Sequence, residues 1–240
     1  MFLVAVFLVA ILSGATATVV GFGIGSLLTP LLAVTFGTTT AVALVTLPHA
    51  AATAVRCWRL RAHVDRNVVV RFGLLSAAGA LAGALIYTRL GPGALTRVLG
   101  GLLLLTAFAQ LTGWNSRWQP HGPVVALFGF LSGFFGGIAG NQGGLRSAAL
   151  TAFGLPPLGF VATATAIGLL VDAARTPVYL WHSGPALLTL WMPILVATSG
   201  VLVGTIVGER VLLGLSPRRF GQIIGCAIGA LGIWMLVLPV

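Results

Sequence analysis

Long runs of apolar residues, separated by short polar segments, fill almost the whole chain. Eight such regions run over residues 2–37, 40–58, 68–88, 96–114, 124–154, 158–181, 186–208 and 219–239. Each is near or above the roughly 20 residues that a helix needs to cross the hydrocarbon layer of a bilayer. The pattern predicts an all-α, polytopic membrane protein with no soluble domain.

The second half of the chain repeats the first. Gly21 and Gly140 are 119 residues apart, and other matched residues recur at offsets that drift between 117 and 125. These matches pair Gly25 with Gly144, Gly37 with Gly154, Arg56 with Arg175, Gly79 with Gly200, Gly83 with Gly204, and Gly100 with Gly225. Such self-similarity predicts a first transmembrane repeat over 1–114, a linker over 115–123 and a second transmembrane repeat over 124–240.

Regions 2–37 and 124–154 open the two halves and are too long for a single crossing. Both contain glycine clusters, and each glycine lowers helix stability by about 1 kcal/mol. We therefore expect a helix, a non-helical break and a shorter helix that returns to the same side of the membrane. With a rise of about 1.5 Å per residue, the returning segments 24–36 and 145–153 span about 20 Å and about 14 Å, which is typical of half-helices.

The charged residues indicate a membrane orientation rather than binding to nucleic acid. Only 7% of residues are charged, and the chain has thirteen basic residues, all arginines, but only three acidic ones. If the two long regions return, nine arginines flank the cytoplasmic side and two the outer side, whereas a single crossing gives six and five. Because cytoplasmic loops carry an excess of Lys and Arg, this count favours two inverted repeats of five segments each, with both termini outside.

Glycine breaks at matching positions of two repeats are the best sequence indication of a transporter's midplane site. A broken helix presents unpaired N–H groups at the start of its second half, and the helix dipole makes an anion their preferred acceptor. The candidate substrate-binding residues are Gly21, Gly23, Gly25, Ser26, Gly140, Asn141, Gln142, Gly143, Gly144 and Arg146.

Arg146 is the most informative of these residues, because it falls in the first turn of the helix that follows the second break. A cation there opposes the helix dipole, and an embedded arginine costs a few kcal/mol or more. Two interpretations stay open: Arg146 holds a bound oxyanion, or it pairs structurally with Asp172.

A second group of ionisable residues lies inside the apolar regions. Asp172 and Arg175 are three residues apart, so they share one face of a helix. Either they form a structural ion pair, or Asp172 carries a proton during transport. His49 titrates near neutrality or is a satisfied core histidine. Catalytic and metal-binding spacings are absent, so we expect no enzyme, no metal and no cofactor.

The glycine-rich runs resemble the signatures of the sulfite exporter TauE/SafE family of membrane permeases. The run 21–32, Gly-Phe-Gly-Ile-Gly-Ser-Leu-Leu-Thr-Pro-Leu-Leu, is similar to that family's G-x-G-G-G…P-x-L pattern, and 133–146 is similar to its counterpart in the second half. The sequence departs from the pattern at Ile24, at Asn141 and Gln142, and at Ala149, which stands where Pro30 would align. The resemblance implies transport of sulfite, sulfonates or related small oxyanions.

Residues and resemblance together predict a secondary transporter for a small sulfur oxyanion in the prokaryotic cytoplasmic membrane. Its site would lie between the two breaks, and one half would rock against the other to alternate access. A small anion and the lipid bilayer are the expected partners, with proton coupling left open. The alternatives are a passive anion channel and a membrane subunit that acts by binding a partner.

Overall fold

The computed structural model describes residues 1–113, 122–141, 143–211 and 217–237, and this part of the chain is helical without strands. Its helices are α1 (Phe2–Val20), α2 (Ile24–Leu60), α3 (Arg66–Tyr87), α4 (Pro92–Thr112), α5 (Pro123–Ala139), α6 (Gly143–Leu150), α7 (Pro157–Thr189), α8 (Trp191–Val211) and α9 (Pro217–Val237). Six of the described helices are long and apolar enough to cross a membrane, and α5 and 221–237 are shorter apolar helices. The prediction of an all-α polytopic membrane protein is confirmed.

Glycines in the left-handed conformation break both halves at matching positions. Helix α1 ends at Gly21 (φ 84°) and α5 ends at Gly140 (φ 71°), and each glycine N–H closes the last turn onto the carbonyl four residues back. A second matched pair bends the chain at Gly37 (φ 75°), inside α2, and at Gly154 (φ 58°). Because a side chain strains this backbone conformation, glycine fixes where the helices stop. The glycine-broken helices predicted from the sequence are therefore confirmed.

The most extensive helix contacts join one half of the chain to the other. Helix α1 packs against α8, α3 against α5, α4 against α9 and α2 against α7. Small residues allow this close approach: a Cβ atom on Gly14 would clash with the carbonyl oxygen of Val201, and one on Gly133 with that of Ser76. Helices at equivalent positions thus find equivalent partners, although the inverted orientation of the two halves stays a prediction.

The outer surface of the bundle is apolar, as a lipid-facing surface must be. Large apolar side chains are exposed along several helices, among them Leu8 on α1, Leu85 on α3, Leu188 on α7 and Ile223 on α9. Polar and charged side chains are instead found buried between helices α2, α6 and α7. The polar centre of the molecule is therefore enclosed by its own helices.

Some predicted boundaries are wrong. The pattern of apolar regions predicts a short polar segment at 182–185, between 158–181 and 186–208, but α7 continues through this stretch to Thr189 and the chain breaks at Leu190. Helix α7 carries Pro177 and Pro185 in its interior, which a membrane helix tolerates because its neighbours satisfy the freed backbone groups. Most of the predicted linker 115–123 lies outside the described residues.

Arg56 also differs from its expected place. The arginine count put it at the cytoplasmic end of a helix, but its side chain is only 3% exposed and packs between helices. Leaving it out changes the predicted distribution to eight arginines against two, so the preference for inverted repeats survives.

Cysteine accessibility tests this orientation. In a variant with Cys57 and Cys226 replaced, we expect Arg61→Cys and Ser216→Cys both to react with a membrane-impermeant maleimide from the cytoplasmic side only, and Gly91→Cys from the outside. The reason is the excess of arginines in 59–71 and 209–219. Reaction of the first two cysteines from opposite faces would contradict the inverted arrangement.

Candidate functional site

The two glycine breaks contact each other in the middle of the bundle. Ser26 Oγ, just after the first break, donates a hydrogen bond to Asn141 Oδ1 in the second break over 3.4 Å. A Cβ atom on Gly25 would clash with the carbonyl oxygen of Gly140, and one on Gly143 would clash with the Phe22 side chain. Glycine at these positions lets the two backbones meet, so residues 115 to 121 positions apart in the sequence form one buried centre.

Arg146 joins the two breaks. It extends from the first turn of α6, is 3% exposed, and donates from Nη2 to the carbonyl oxygen of Gly21 over 3.4 Å. Its guanidinium also lies against α7, where a Cβ atom on Gly168 would be 3.1 Å from Nη1. The guanidinium therefore occupies the space between the first break, the second break and α7.

Two of the Arg146 nitrogens, Nε and Nη1, are buried without a hydrogen-bond partner among the described residues. Asp172 does not serve as that partner: among the described residues its ion pairs are with His49 and Arg175. The structural interpretation of Arg146 as the ion-pair partner of Asp172 is therefore wrong. A buried guanidinium with unused donors is costly, and a bound anion would offset that cost.

Further unused donors lie close to Arg146 in the sequence. Asn141 Nδ2, in the break itself, and Ser147 Oγ, next to Arg146 in α6, are both buried without a partner. Buried polar groups are nearly always hydrogen-bonded in native proteins, so these donors, close in sequence to Arg146, are candidates for binding a small polar ligand. Ser147 was not predicted, although its place beside Arg146 in the first turn of α6 was a usable signal.

The buried charges do not balance. Arg56, Arg146 and Arg175 are each at most 3% exposed, while Asp172 is the only buried acid among the side chains that the structure describes. Arg56 donates from Nε to Thr165 Oγ1 over 3.1 Å, and Arg175 binds Asp172. Buried charges are expensive unless they are paired, and Asp172 is already bound by Arg175 and His49, so the charge of Arg146 makes an anion beside it favourable.

Asp172 is the hub of a buried network between α2 and α7. Arg175 donates to its Oδ1 from Nε and Nη2 over 3.1 and 2.8 Å, and His49 Nδ1 lies 2.6 Å from its Oδ2. Arg175 Nη1 also donates to the carbonyl oxygen of Gly136 over 2.6 Å. The network therefore connects the ionisable residues to the last turn of α5, directly before the second break.

Tyr179 also connects α7 to the last turn of α5. It lies one turn after Arg175 on α7, donates from its hydroxyl to the carbonyl oxygen of Gly137, and its ring lies 4.6 Å from that of Tyr87. A cation and a donor at the C-terminal end of α5 match the negative end of its dipole. Tyr179 was not predicted, because a tyrosine in an apolar helix is typical of a core residue.

The structure brings together most of the candidate residues named from the sequence. The residues 21–26 are buried and contact Gly140, Asn141, Gly143 and Arg146, whereas Gly144 packs against Thr106 of α4, whose Oγ1 would lie 2.8 Å from an added Cβ atom. Gln142 lies outside the described residues. His49, Asp172 and Arg175 form a separate cluster, which reaches the Arg146 side through Gly168 and Thr53.

Paired helix breaks around a buried cationic centre, inside a bundle with an apolar surface, define a multi-pass membrane protein of the kind that includes secondary transporters. A family model described as Sulfite exporter TauE/SafE matches residues 6–235, nearly the whole chain. The chain belongs to this family of membrane permeases, which confirms the resemblance of its glycine-rich runs. No curated protein and no solved structure matches the sequence.

Proposed function

We propose that this permease is a secondary transporter that moves sulfite or a small sulfonate across the prokaryotic cytoplasmic membrane. The proposed site lies near the midplane between residues 21–26 and 140–146. The observation that carries the proposal is the buried Arg146 guanidinium, with two unused N–H donors beside both breaks.

The chemistry of the centre suits an oxyanion. The planar guanidinium matches two oxygens of a sulfite or sulfonate group with two parallel hydrogen bonds. Asn141 Nδ2 and Ser147 Oγ add neutral donors, and glycines at the breaks allow the ligand to approach backbone N–H groups. The positive charge of the buried Arg146 guanidinium compensates for the removal of the anion from water.

The packing of the helices suggests which units move. Helices α1 and α8 make backbone contact at Gly14 and Gly204, and α3 and α5 at Gly79 and Gly133. Rocking of one sequence half against the other would separate both of these interfaces. The moving units we favour are therefore mixed, with α1 and α8 in one bundle and α3 and α5 in the other, each bundle carrying one break.

Counterflow in proteoliposomes tests the proposal. With sulfite inside, we expect saturable uptake of labelled sulfite, inhibited by methanesulfonate and weakly by chloride, because the arginine fork recognises paired oxygens. The same vesicles without protein provide the control. Flux that does not saturate would support an anion channel, and absence of both binding and flux in the purified protein would support a subunit that acts through a partner.

A further inference from the structure

His49 retains one free ring nitrogen next to the proposed anion site. The close ion pair with Arg175, with two hydrogen bonds to Oδ1, favours the ionised carboxylate of Asp172, whose Oδ2 is then an acceptor. The His49 Nδ1 atom, 2.6 Å from Oδ2, is therefore the donor of that hydrogen bond. Binding or release of a proton by His49 then takes place at Nε2.

The two partners of this hydrogen bond differ in their exposure to solvent. The His49 side chain is 11% exposed, whereas those of Asp172 and Arg175 are 1% exposed. A proton from water reaches the imidazole more readily than the carboxylate. His49, rather than Asp172, is the member of this cluster that is placed to change its charge.

Arg146 and His49 are close enough to influence each other. The Gly168 position on α7 approaches both Arg146 Nη1 and Thr53 Cγ2, at 3.1 and 3.5 Å from an added Cβ atom. Thr53 Oγ1 in turn lies 3.4 Å from His49 Nδ1. Gly168 and Thr53 therefore lie between the guanidinium and the imidazole, and at this range a positive charge on Arg146 repels a positive charge on His49.

The other helices that pack against α2 add no comparable charge. Helix α1 has no charged side chain, and the charged residues of α8 and α9 are Glu209, Arg210, Arg218 and Arg219, whose side chains lie outside the described part of the structure. Helix α4 contributes Arg97, which is exposed and follows Thr96, the residue that bonds Thr38 of α2 eleven residues before His49. Among the described side chains, Asp172, Arg175 and Arg146 are thus the charged groups that act on His49.

We propose that His49 binds a proton together with the anion, so that the permease moves an oxyanion and a proton as a pair. Before the anion binds, the unpaired charge of Arg146 repels a second positive charge on the imidazole. An anion on Arg146 cancels this repulsion, so a proton from water binds to the Nε2 lone pair. By thermodynamic reciprocity, protonation of His49 strengthens anion binding by the same factor. This inference rests on the proposed function of Arg146.

Calorimetric titration of the purified permease with methanesulfonate, whose charge is constant between pH 5 and pH 9, provides the test. We expect Kd to decrease by up to about tenfold for each pH unit lowered in the range where His49 titrates. Parallel titrations in two buffers of different ionisation enthalpy should show uptake of up to one proton for each anion bound. The variant His49→Gln, which keeps a donor for Asp172, should bind the anion with a Kd that does not depend on pH.

His63→Gln is the matched control, because His63 lies exposed in the short helix Arg61–His63, outside the site. It should behave as the wild type. Binding by the wild type without pH dependence or proton uptake would overturn the inference and leave the anion site intact. Pronounced pH dependence in a folded His49→Gln protein would overturn the assignment to His49. Absence of methanesulfonate and sulfite binding would overturn the proposed function and this inference together. If His49→Gln does not fold, the number of protons taken up by the wild type for each anion bound decides whether anion and proton bind together.

Discussion

Arg146→Ala is expected to abolish binding of sulfite and methanesulfonate while the protein remains folded and inserted in the membrane. Among the described residues, the guanidinium makes one long hydrogen bond, from Nη2 to the Gly21 carbonyl, and two of its donors are unused. Loss of the side chain therefore removes little that holds the bundle together, and it removes the charge that the anion needs. Calorimetry on the detergent-purified protein measures the affinity, and size-exclusion chromatography reports the fold.

Arg146→Lys tests whether the anion needs the shape of the arginine side chain in addition to its charge. Lysine keeps the positive charge but lacks the planar fork that holds two oxygens. Loss of one charge-assisted hydrogen bond should weaken binding by about 1.5–3 kcal/mol, or about 10- to 150-fold. Arg66→Ala, which removes an exposed arginine at the start of α3, is the control and should bind normally. Unchanged affinity in a folded Arg146→Ala protein would return Arg146 to a structural role.

The breaks were predictable from the sequence because their cause is local. A left-handed residue at the end of a helix selects for glycine whatever surrounds it, so Gly21 and Gly140 mark matching positions in both halves. The same holds for Gly37 and Gly154. Repetition made the prediction stronger, since a chance glycine has no counterpart 119 residues away.

The buried network was only partly predictable. The spacing of Asp172 and Arg175 put them on one helix face, and this local geometry is visible in the sequence. The contact between His49 and Asp172 joins residues 123 positions apart, and no periodicity encodes it. The free donors on Asn141 and Ser147 likewise depend on burial, which follows from how α5 and α6 pack against the first half.

The end of α7 was mispredicted for a related reason. His182 and Pro185 lower the local hydropathy and look like a loop, yet α7 continues to Thr189. The ring of His182 lies 5.8 Å from that of Tyr87 on α3. A tertiary contact therefore accommodates a polar residue that would otherwise favour the end of a helix. Such contacts cannot be predicted from the local composition of the sequence.

Asp172→Asn is expected to destabilise the protein by about 3–5 kcal/mol, the usual effect of breaking a buried ion pair on one side. The neutral amide leaves the Arg175 guanidinium, 1% exposed, without its counter-charge. Because Arg175 also donates to the Gly136 carbonyl, the loss of stability should also affect the last turn of α5, just before the second break. A lower midpoint of thermal unfolding in detergent is the measurement.

Two further variants show whether the stranded charge is the cause. Asp172→Asn combined with Arg175→Gln removes both charges of this ion pair and strands neither, so the double variant should be more stable than Asp172→Asn alone. Asp65→Asn is the matched control, because Asp65 caps the start of α3 through the Val68 N–H and asparagine caps helices about as well as aspartate. If Asp172→Asn unfolded like the wild type but moved anions without protons, Asp172 itself would carry the proton, and the ion pair with Arg175 would contribute little to stability. We expect the reverse result, in which the stability of the fold depends on Asp172 and the binding of the proton depends on His49.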